Sequence, residues 1–176
     1  MKNYKTSALS IALVGVMAAT VECAKLALAA LPNIEVVTLL IAVFSYTFGS
    51  LGFAATLVFV MIEPLIWGFG GWFITYLIYW PALSLCFILL GRAKIKNIFI
   101  LTLTALIMTA IFGVLSSAVD VGLFSGTYEK FGQRFLIYYA RGIGFYLSQL
   151  LSNLVAFPLL FKTLSSLLLR LAKKFS

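Results

Sequence analysis

Runs of about 20 apolar residues, separated by short polar or glycine-containing turns, dominate this chain of 176 residues. A helix of that length crosses the hydrocarbon core of a bilayer, and lipid offers no water to satisfy an open backbone. Hydrophobic residues make up 63% of the chain and charged residues only 10%, against about a quarter charged in a soluble domain. We therefore expect an all-α membrane protein with one domain over residues 1–176. The alternating polarity of a β-barrel strand is missing.

The turns divide the chain into six predicted transmembrane helices, arranged as a bundle. We place them at about 7–28, 34–48, 53–69, 71–90, 98–119 and 144–171, with a short interfacial or lid helix over 133–145. The second is short for a bilayer crossing, so we expect it to be tilted or shielded by its neighbours. Ala27-Leu-Ala29 resembles a signal-peptidase site, but the first run is long enough to span, which favours a retained helix.

Basic residues lie at the ends of the apolar runs, a topology signal and not a nucleic-acid surface, although the net charge is +8. With six helices, nine basic residues share one side with both termini and four lie on the other. The nine are Lys2, Lys5, Arg92, Lys94, Lys96, Lys162, Arg170, Lys173 and Lys174. By the positive-inside rule both termini are cytoplasmic. Glu35, Asp120, Glu129 and the turn at 68–72 then face outward.

The histidine and cysteine content of the chain disfavours acid–base catalysis and metal binding. Histidine, the commonest general base and metal ligand, is absent. Cys23 and Cys86 lie in apolar surroundings without metal-ligand spacing, so we expect small core residues and no disulfide. We expect no catalytic residues, no metal and no cofactor.

The stretch from Phe59 to Pro81 is the strongest candidate for a binding site. It holds Glu63, a carboxylate within an apolar run, and all three tryptophans. A charge in a membrane span usually faces a protein interior or a cavity, and Pro64 should kink the helix beside it. Phe59, Glu63 and Trp67 share one helical face, and a second face carries Trp72, Tyr76, Tyr79 and Leu83, with Trp80 adjoining. We expect these faces to line a small-molecule pocket.

Polar residues further along the chain could complete that pocket. Arg134, Tyr138 and Arg141 form one stripe of the predicted lid, and Asn153 lies on a polar-to-small face of the last helix. Asn153 is equally compatible with hydrogen bonding between helices. For Glu22 we expect a local pair with Lys25. The expected substrate-binding residues are Glu63, Trp67, Trp72, Tyr76, Tyr79, Arg134, Tyr138, Arg141 and Asn153.

A stripe of small residues runs along the first helix: Ala8, Ala12, Gly15 and Ala19. In lipid, small residues let helix backbones approach closely. The stripe fits packing inside the bundle or docking of a partner membrane subunit.

Together these features resemble the substrate-binding S component of an energy-coupling-factor (ECF) vitamin transporter. The resemblance rests on six helices in a short chain, the small-residue stripe, and the segments Leu31-Pro-Asn-Ile-Glu-Val-Val-Thr38 and Glu63-Pro-Leu-Ile-Trp67. It implies a multi-pass subunit of a prokaryotic plasma membrane that is not an enzyme and captures a water-soluble vitamin or related micronutrient from outside. It also implies a membrane coupling subunit, docked on the stripe, and ATP-binding-cassette ATPase subunits as partners. The chain itself has no G-x-x-x-x-G-K-[ST] phosphate loop.

Two other readings of Glu63 stay open. One is a stand-alone proton-coupled carrier or membrane enzyme with Glu63 as its acid. The other is a scaffold subunit in which Glu63 is buried, protonated and hydrogen-bonded. Copurification of ATP-binding subunits would favour the importer.

Overall fold

The computed structural model describes residues 8–31, 34–124, 126 and 128–174. Residues 173 and 174 are described by their backbone only, and the elements of the described chain are all helical. The elements are α1 (Ala8–Ala27), α2 (Val37–Phe48), α3 (Ser50–Trp67), α4 (Gly71–Arg92), α5 (Ile98–Val119), a π-helical turn (Asp120–Phe124) and α6 (Phe131–Lys174). The expected all-α class is confirmed. Lys2, Lys5 and the turn at Pro32 and Asn33 lie outside the described residues, as do the side chains of Lys173 and Lys174.

Five of the described helices are long and apolar enough to cross a membrane, namely α1, α3, α4, α5 with its π-helical turn, and α6. The exception is α2, whose 12 residues extend only about 18 Å. It starts at Val37, later than expected, and eight of its residues are buried. Contacts with α1, α3, α4, α5 and α6 surround it, so it is shielded by its neighbours, as its length suggested.

α2 and α3 form a tight hairpin around Gly49, which has a φ of 61°. A positive φ is readily adopted only by glycine. Just inside α3, a Cβ on Gly52 would lie 2.6 Å from the backbone of Phe44 and Ser45. At the same end, the Ser45 and Ser84 hydroxyls are 2.7 Å apart and join α2 to α4. This glycine-dependent contact fixes where α3 begins.

α6 is one helix of 44 residues, about 66 Å long. The expected division into a lid helix and a separate last helix is therefore wrong. The rings of Phe131, Phe135, Tyr139 and Tyr146 stack in succession along one face, and the Tyr146 ring lies directly over Gly142. This packing compensates for the helix-weakening effect of glycine, about 1 kcal/mol per residue. Since the helix exceeds the bilayer core of about 30 Å, one part of it must extend beyond the hydrocarbon.

The two cysteines are free, and their positions differ from expectation. Cys86 is partly buried, but Cys23 is exposed on α1, so a core role for Cys23 is wrong. Helical geometry explains the difference, because the neighbouring Val21 and Glu22 take the inward positions of that turn. The interior is instead filled by larger side chains such as Phe59, Phe87, Phe157 and Phe161.

Candidate functional site

An ion pair between α1 and α3 forms the centre of the candidate site. Lys25 Nζ donates to Glu63 Oε2, linking the last turn of α1 to the last turn of α3. The Glu63 side chain is 1% exposed and that of Lys25 is 25% exposed, so the pair opens to the surroundings on the lysine side. The expectation that Glu63 faces the protein interior is confirmed. The expected local ion pair of Lys25 with Glu22 is wrong, since Lys25 bonds to Glu63 on α3, although the Glu22 carboxyl still interacts with the lysine charge at longer range.

A second buried carboxyl group lies beside this pair. Glu22 is 7% exposed, and its carboxyl interacts with that of Glu63. The contact falls outside strict hydrogen-bond geometry, and both Glu22 oxygens and Glu63 Oε1 have no hydrogen-bond partner among the described residues. Two adjacent carboxylates repel unless a proton or a further cation lies between them. Lys25 supplies one positive charge to the two carboxyl groups, and three of their four oxygens remain without a hydrogen-bond donor among the described residues.

Three aromatic rings surround the Lys25 ammonium and form what we call the cage: Phe59, Trp67 and Tyr76. Nζ lies 5.9 Å from the Phe59 centroid and 5.5 Å from those of Trp67 and Tyr76. These distances are within cation–π range. Phe59 is buried, whereas Trp67 is 53% exposed and marks the open side. The cage and the Glu63 carboxylate thus hold the Lys25 ammonium, with Glu22 beside them.

Behind the cage the aromatic rings pack on one another. Tyr76 contacts Trp72 at 5.1 Å and Trp80 at 5.6 Å, and Tyr79 contacts Trp80 at 4.8 Å. Edge-to-face contacts at such distances are favourable and fill the space that the sequence suggested as a pocket. Trp80 Nε1 is buried without a hydrogen-bond partner among the described residues. The accessible part of the predicted site is therefore its edge at Lys25 and Trp67.

A separate polar cluster lies deeper, where α2 begins. The Glu35 carboxylate accepts from the Thr38 backbone N–H at 3.0 Å, the Thr38 hydroxyl at 2.7 Å and Asn153 Nδ2 at 2.7 Å. Nδ2 also donates to Thr109 Oγ1 at 3.1 Å, and the Tyr79 hydroxyl interacts with the hydroxyls of Thr38 and Thr109. The Glu35 carboxylate is therefore held by hydrogen bonds at the N-terminus of α2, where a negative charge is favoured. Asn153 joins α2, α5 and α6, which favours its interhelical role.

The remaining predicted ligand residues lie on the N-terminal part of α6. Tyr138 is 41% exposed, Arg141 is exposed and Arg134 is partly buried. By helical spacing they occupy a different face from the stacked ring stripe. None of the three belongs to the cage.

The small-residue stripe of α1 is exposed on the surface of the helix bundle. Ala8, Ala12, Gly15 and Ala19 are all exposed, and a Cβ on Gly15 would meet nothing within 4 Å. Packing of this stripe inside the bundle is therefore wrong, because the face is exposed.

Sequence reasoning missed Glu22, Lys25 and Glu35 as members of polar clusters. All three lie within or beside apolar runs, the same signal that identified Glu63. Within the described residues there is no group of three or more cysteines and carboxylates suited to a metal ion.

Comparison with protein-family models finds none that matches this chain, and searches of curated proteins and of solved structures find no match either.

Proposed function

We propose that this chain is the substrate-binding subunit of an ECF-type importer. In this proposal it captures a water-soluble vitamin or related micronutrient from outside a prokaryotic cell and passes it to an ATP-driven coupling module. The proposal places both termini in the cytoplasm and the Lys25–Glu63 end outside, in accord with the density of basic residues near Arg92.

One observation carries the proposal: aromatic rings and two carboxyl groups converge on a single ammonium position at a partly open edge of the bundle. Aromatic rings around a cation are a recurrent way to bind quaternary and protonated nitrogen ligands. Here Lys25 itself occupies that position. A cationic or strongly hydrogen-bond-donating ring compound would replace the lysine ammonium against Glu63 and Glu22, while Trp67 and Tyr76 stack on the ring.

The open stripe on α1 supports a partner in the membrane. Next to Ala12 and Gly15, a groove of about 400 Å³ runs between α1, α2 and the end of α6 and is almost wholly apolar. A helix of the coupling subunit could approach the stripe closely and place larger side chains in the groove. ATPase subunits would then act through that helix, because this chain carries no phosphate loop.

The first test measures ligand binding. We expect Trp67 fluorescence to respond to at least one member of a panel of cationic and neutral water-soluble vitamins. Lys25→Met removes the internal competitor, so it should tighten binding of a cationic ligand, whereas Glu63→Gln should weaken it by at least about tenfold, the loss expected for one charge-assisted contact. If Lys25 were only a structural partner, Lys25→Met would weaken binding or leave it unchanged. A flat response to every vitamin by wild type would contradict the proposal.

The second test measures partner docking. Ala12→Leu should abolish copurification of a membrane coupling subunit and its ATPases without changing ligand binding, because a leucine holds the partner helix away. Ala110→Leu, at an exposed alanine of α5, is the matched control and should copurify normally. Equal behaviour of the two variants would argue against docking on α1.

A proton-coupled carrier is the second candidate, and the Glu22–Glu63 contact favours it. Two carboxyl groups in contact can hold one proton between them, and a ligand cation could displace that proton. Proteoliposomes containing only this chain distinguish the two functions. Substrate-driven proton movement without ATPase subunits would favour the carrier.

A further inference from the structure

A second cavity, of about 320 Å³, opens at the opposite end of the bundle from the cage. Its lining residues come from α2, the loop before α5, and α5 and α6: Tyr46, Lys96, Leu101, Phe161, Lys162, Ser165, Ser166 and Leu169. The volume falls at the lower end of the range for small-molecule sites, about 300–1,000 Å³. We call it the lysine pocket.

The floor of the lysine pocket is preformed. The Tyr46 hydroxyl donates to the Ile95 carbonyl at 2.9 Å and so fixes the loop that carries Lys96. The Tyr46 ring also packs edge-on against Phe161, with centroids 5.3 Å apart. Phe161 and Leu101 are each 1% exposed. The two lysines are therefore presented around a rigid apolar base.

The charge of the lysine pocket is uniformly positive. Lys96 and Lys162 are exposed at its rim, and its lining includes no acidic residue. All five acidic residues of the chain lie elsewhere: Glu22, Glu35, Glu63, Asp120 and Glu129. The Ser165 and Ser166 hydroxyls donate to the backbone carbonyls of Lys162 and Thr163, so the two ammonium groups are the charged donors of the pocket. Two ammonium groups at the rim of a cavity without acidic residues suit a phosphate group.

The position of the lysine pocket along the helices indicates that the phosphate belongs to a lipid headgroup. Asn153 bonds to Thr109, near the middle of α5, and Lys162 lies about 14 Å further along α6. Half of the hydrocarbon thickness is about 15 Å, so Lys162 reaches the level of lipid headgroups. On the bilayer side of this level, exposed aliphatic side chains of α5 and α6 offer a surface for acyl chains: Ile100, Leu103, Ile107, Leu159 and Leu160.

The geometry points to a binding site for the phosphate of an anionic membrane lipid, held between Lys96 and Lys162 with its chains along α5 and α6. This inference does not rest on the transport proposal, because it concerns the other end of the molecule. It predicts a lipid that stays with the protein through purification in detergent.

Native mass spectrometry of the purified full chain tests the site, with phosphatidylglycerol or phosphatidylcholine added at equal concentration. We expect a phosphatidylglycerol adduct that outlasts the phosphatidylcholine adduct. Lys96→Gln/Lys162→Gln should weaken it by about 25-fold, since each lysine near an anionic surface contributes about fivefold. The matched control, Lys94→Gln/Arg170→Gln, removes two charges from the same end but outside the pocket and should retain the adduct.

Three results would overturn the inference. Equal loss in the control pair would indicate a general charge effect, and equal retention of the two lipids would remove the preference for an anionic headgroup. Glycerol 1-phosphate that binds as tightly as the whole lipid would assign the pocket to a free phosphate compound. Unchanged thermal unfolding of both double variants shows that any difference arises from binding and not from folding.

Discussion

The surroundings of the Lys25 ammonium are those expected of a binding site for a positively charged group. Its ammonium is held by Glu63 and by three ring faces, while a second carboxyl group, Glu22, lies alongside. A buried charge with its partner removed is costly, typically about 3–5 kcal/mol. Lys25 has two carboxyl neighbours, however, and part of its side chain reaches the surroundings.

The two carboxyl groups should therefore substitute for each other. We expect Glu63→Gln or Glu22→Gln alone to lower the free energy of unfolding by about 1 kcal/mol or less, because one carboxylate still faces Lys25. Glu22→Gln/Glu63→Gln should lower it by about 2–3 kcal/mol, more than the sum of the single changes. Adding Lys25→Met to the double variant should restore most of the loss. Thermal unfolding followed by tryptophan fluorescence in detergent measures all four, and strict additivity would argue against a shared site.

The burial of Glu63 could be predicted from the sequence, but its ion pair with Lys25 could not. A carboxylate in an apolar run indicates burial whatever the fold, so its position could be predicted from the residue alone. The Lys25–Glu63 contact depends on how α1 docks against α3, and local spacing favoured Glu22 as the partner of Lys25. The hydrogen bond from Asn153 to Glu35 was missed for a similar reason, because it depends on how α2 packs against α6.

Among the elements, the α2–α3 hairpin depends most on residue size. Gly52 brings the start of α3 into contact with the backbone of Phe44 and Ser45, where a methyl group has no space. Backbone atoms cannot move aside as a flexible side chain can. The hairpin should therefore respond to changes that are harmless on other helix faces.

Gly52→Ala should destabilise the protein by about 1–3 kcal/mol, the usual range for overpacking. Gly15→Ala is the matched control, because its new methyl group meets open space, and the better helix propensity of alanine should leave stability equal or slightly higher. Chemical unfolding curves of the two variants provide the comparison. A Gly52→Ala protein as stable as Gly15→Ala would contradict the close backbone contact.

Element boundaries show where helix signals succeed and fail. The start of α4 agrees with the predicted turn at Gly68–Gly71, and the break between α4 and α5 agrees with the predicted loop around Lys94, both to within a few residues. The boundary placed near Gly144 failed, because glycine only weakens a helix and the ring stack from Phe131 to Tyr146 maintains it. Packing of this kind is not visible in a single sequence.

At the scale of the whole molecule, the described helices alternate direction, and the cage and the lysine pocket lie at opposite ends. α6 is the longest element, and its length requires that residues near Phe131 stand clear of the hydrocarbon if residues near Asn153 lie within it. Exposed residues of α6 should then meet two different surroundings, water at the end and lipid along the middle.

Cysteine labelling tests this arrangement. In a Cys23→Ser/Cys86→Ala background, a charged thiol reagent should label Gly132→Cys from one side of sealed vesicles and Lys94→Cys from the other. Leu159→Cys should stay unlabelled although the leucine is 67% exposed, because lipid covers it and the thiolate does not form there. Labelling of Gly132→Cys and Lys94→Cys from the same side would refute the arrangement.

Gly49 is the entire link between α2 and α3, and Gly52 holds the base of α3 against α2. α3 is therefore held against α2 at its base, and Glu63 lies about 17 Å further along the helix, near its other end. That end is joined to α1 by the Lys25–Glu63 contact, and α1 packs along α3. If the proposed importer exchanges the lysine ammonium for a ligand cation at these carboxylates, we expect the resulting movement of α3 to reach α1 and its stripe of small residues.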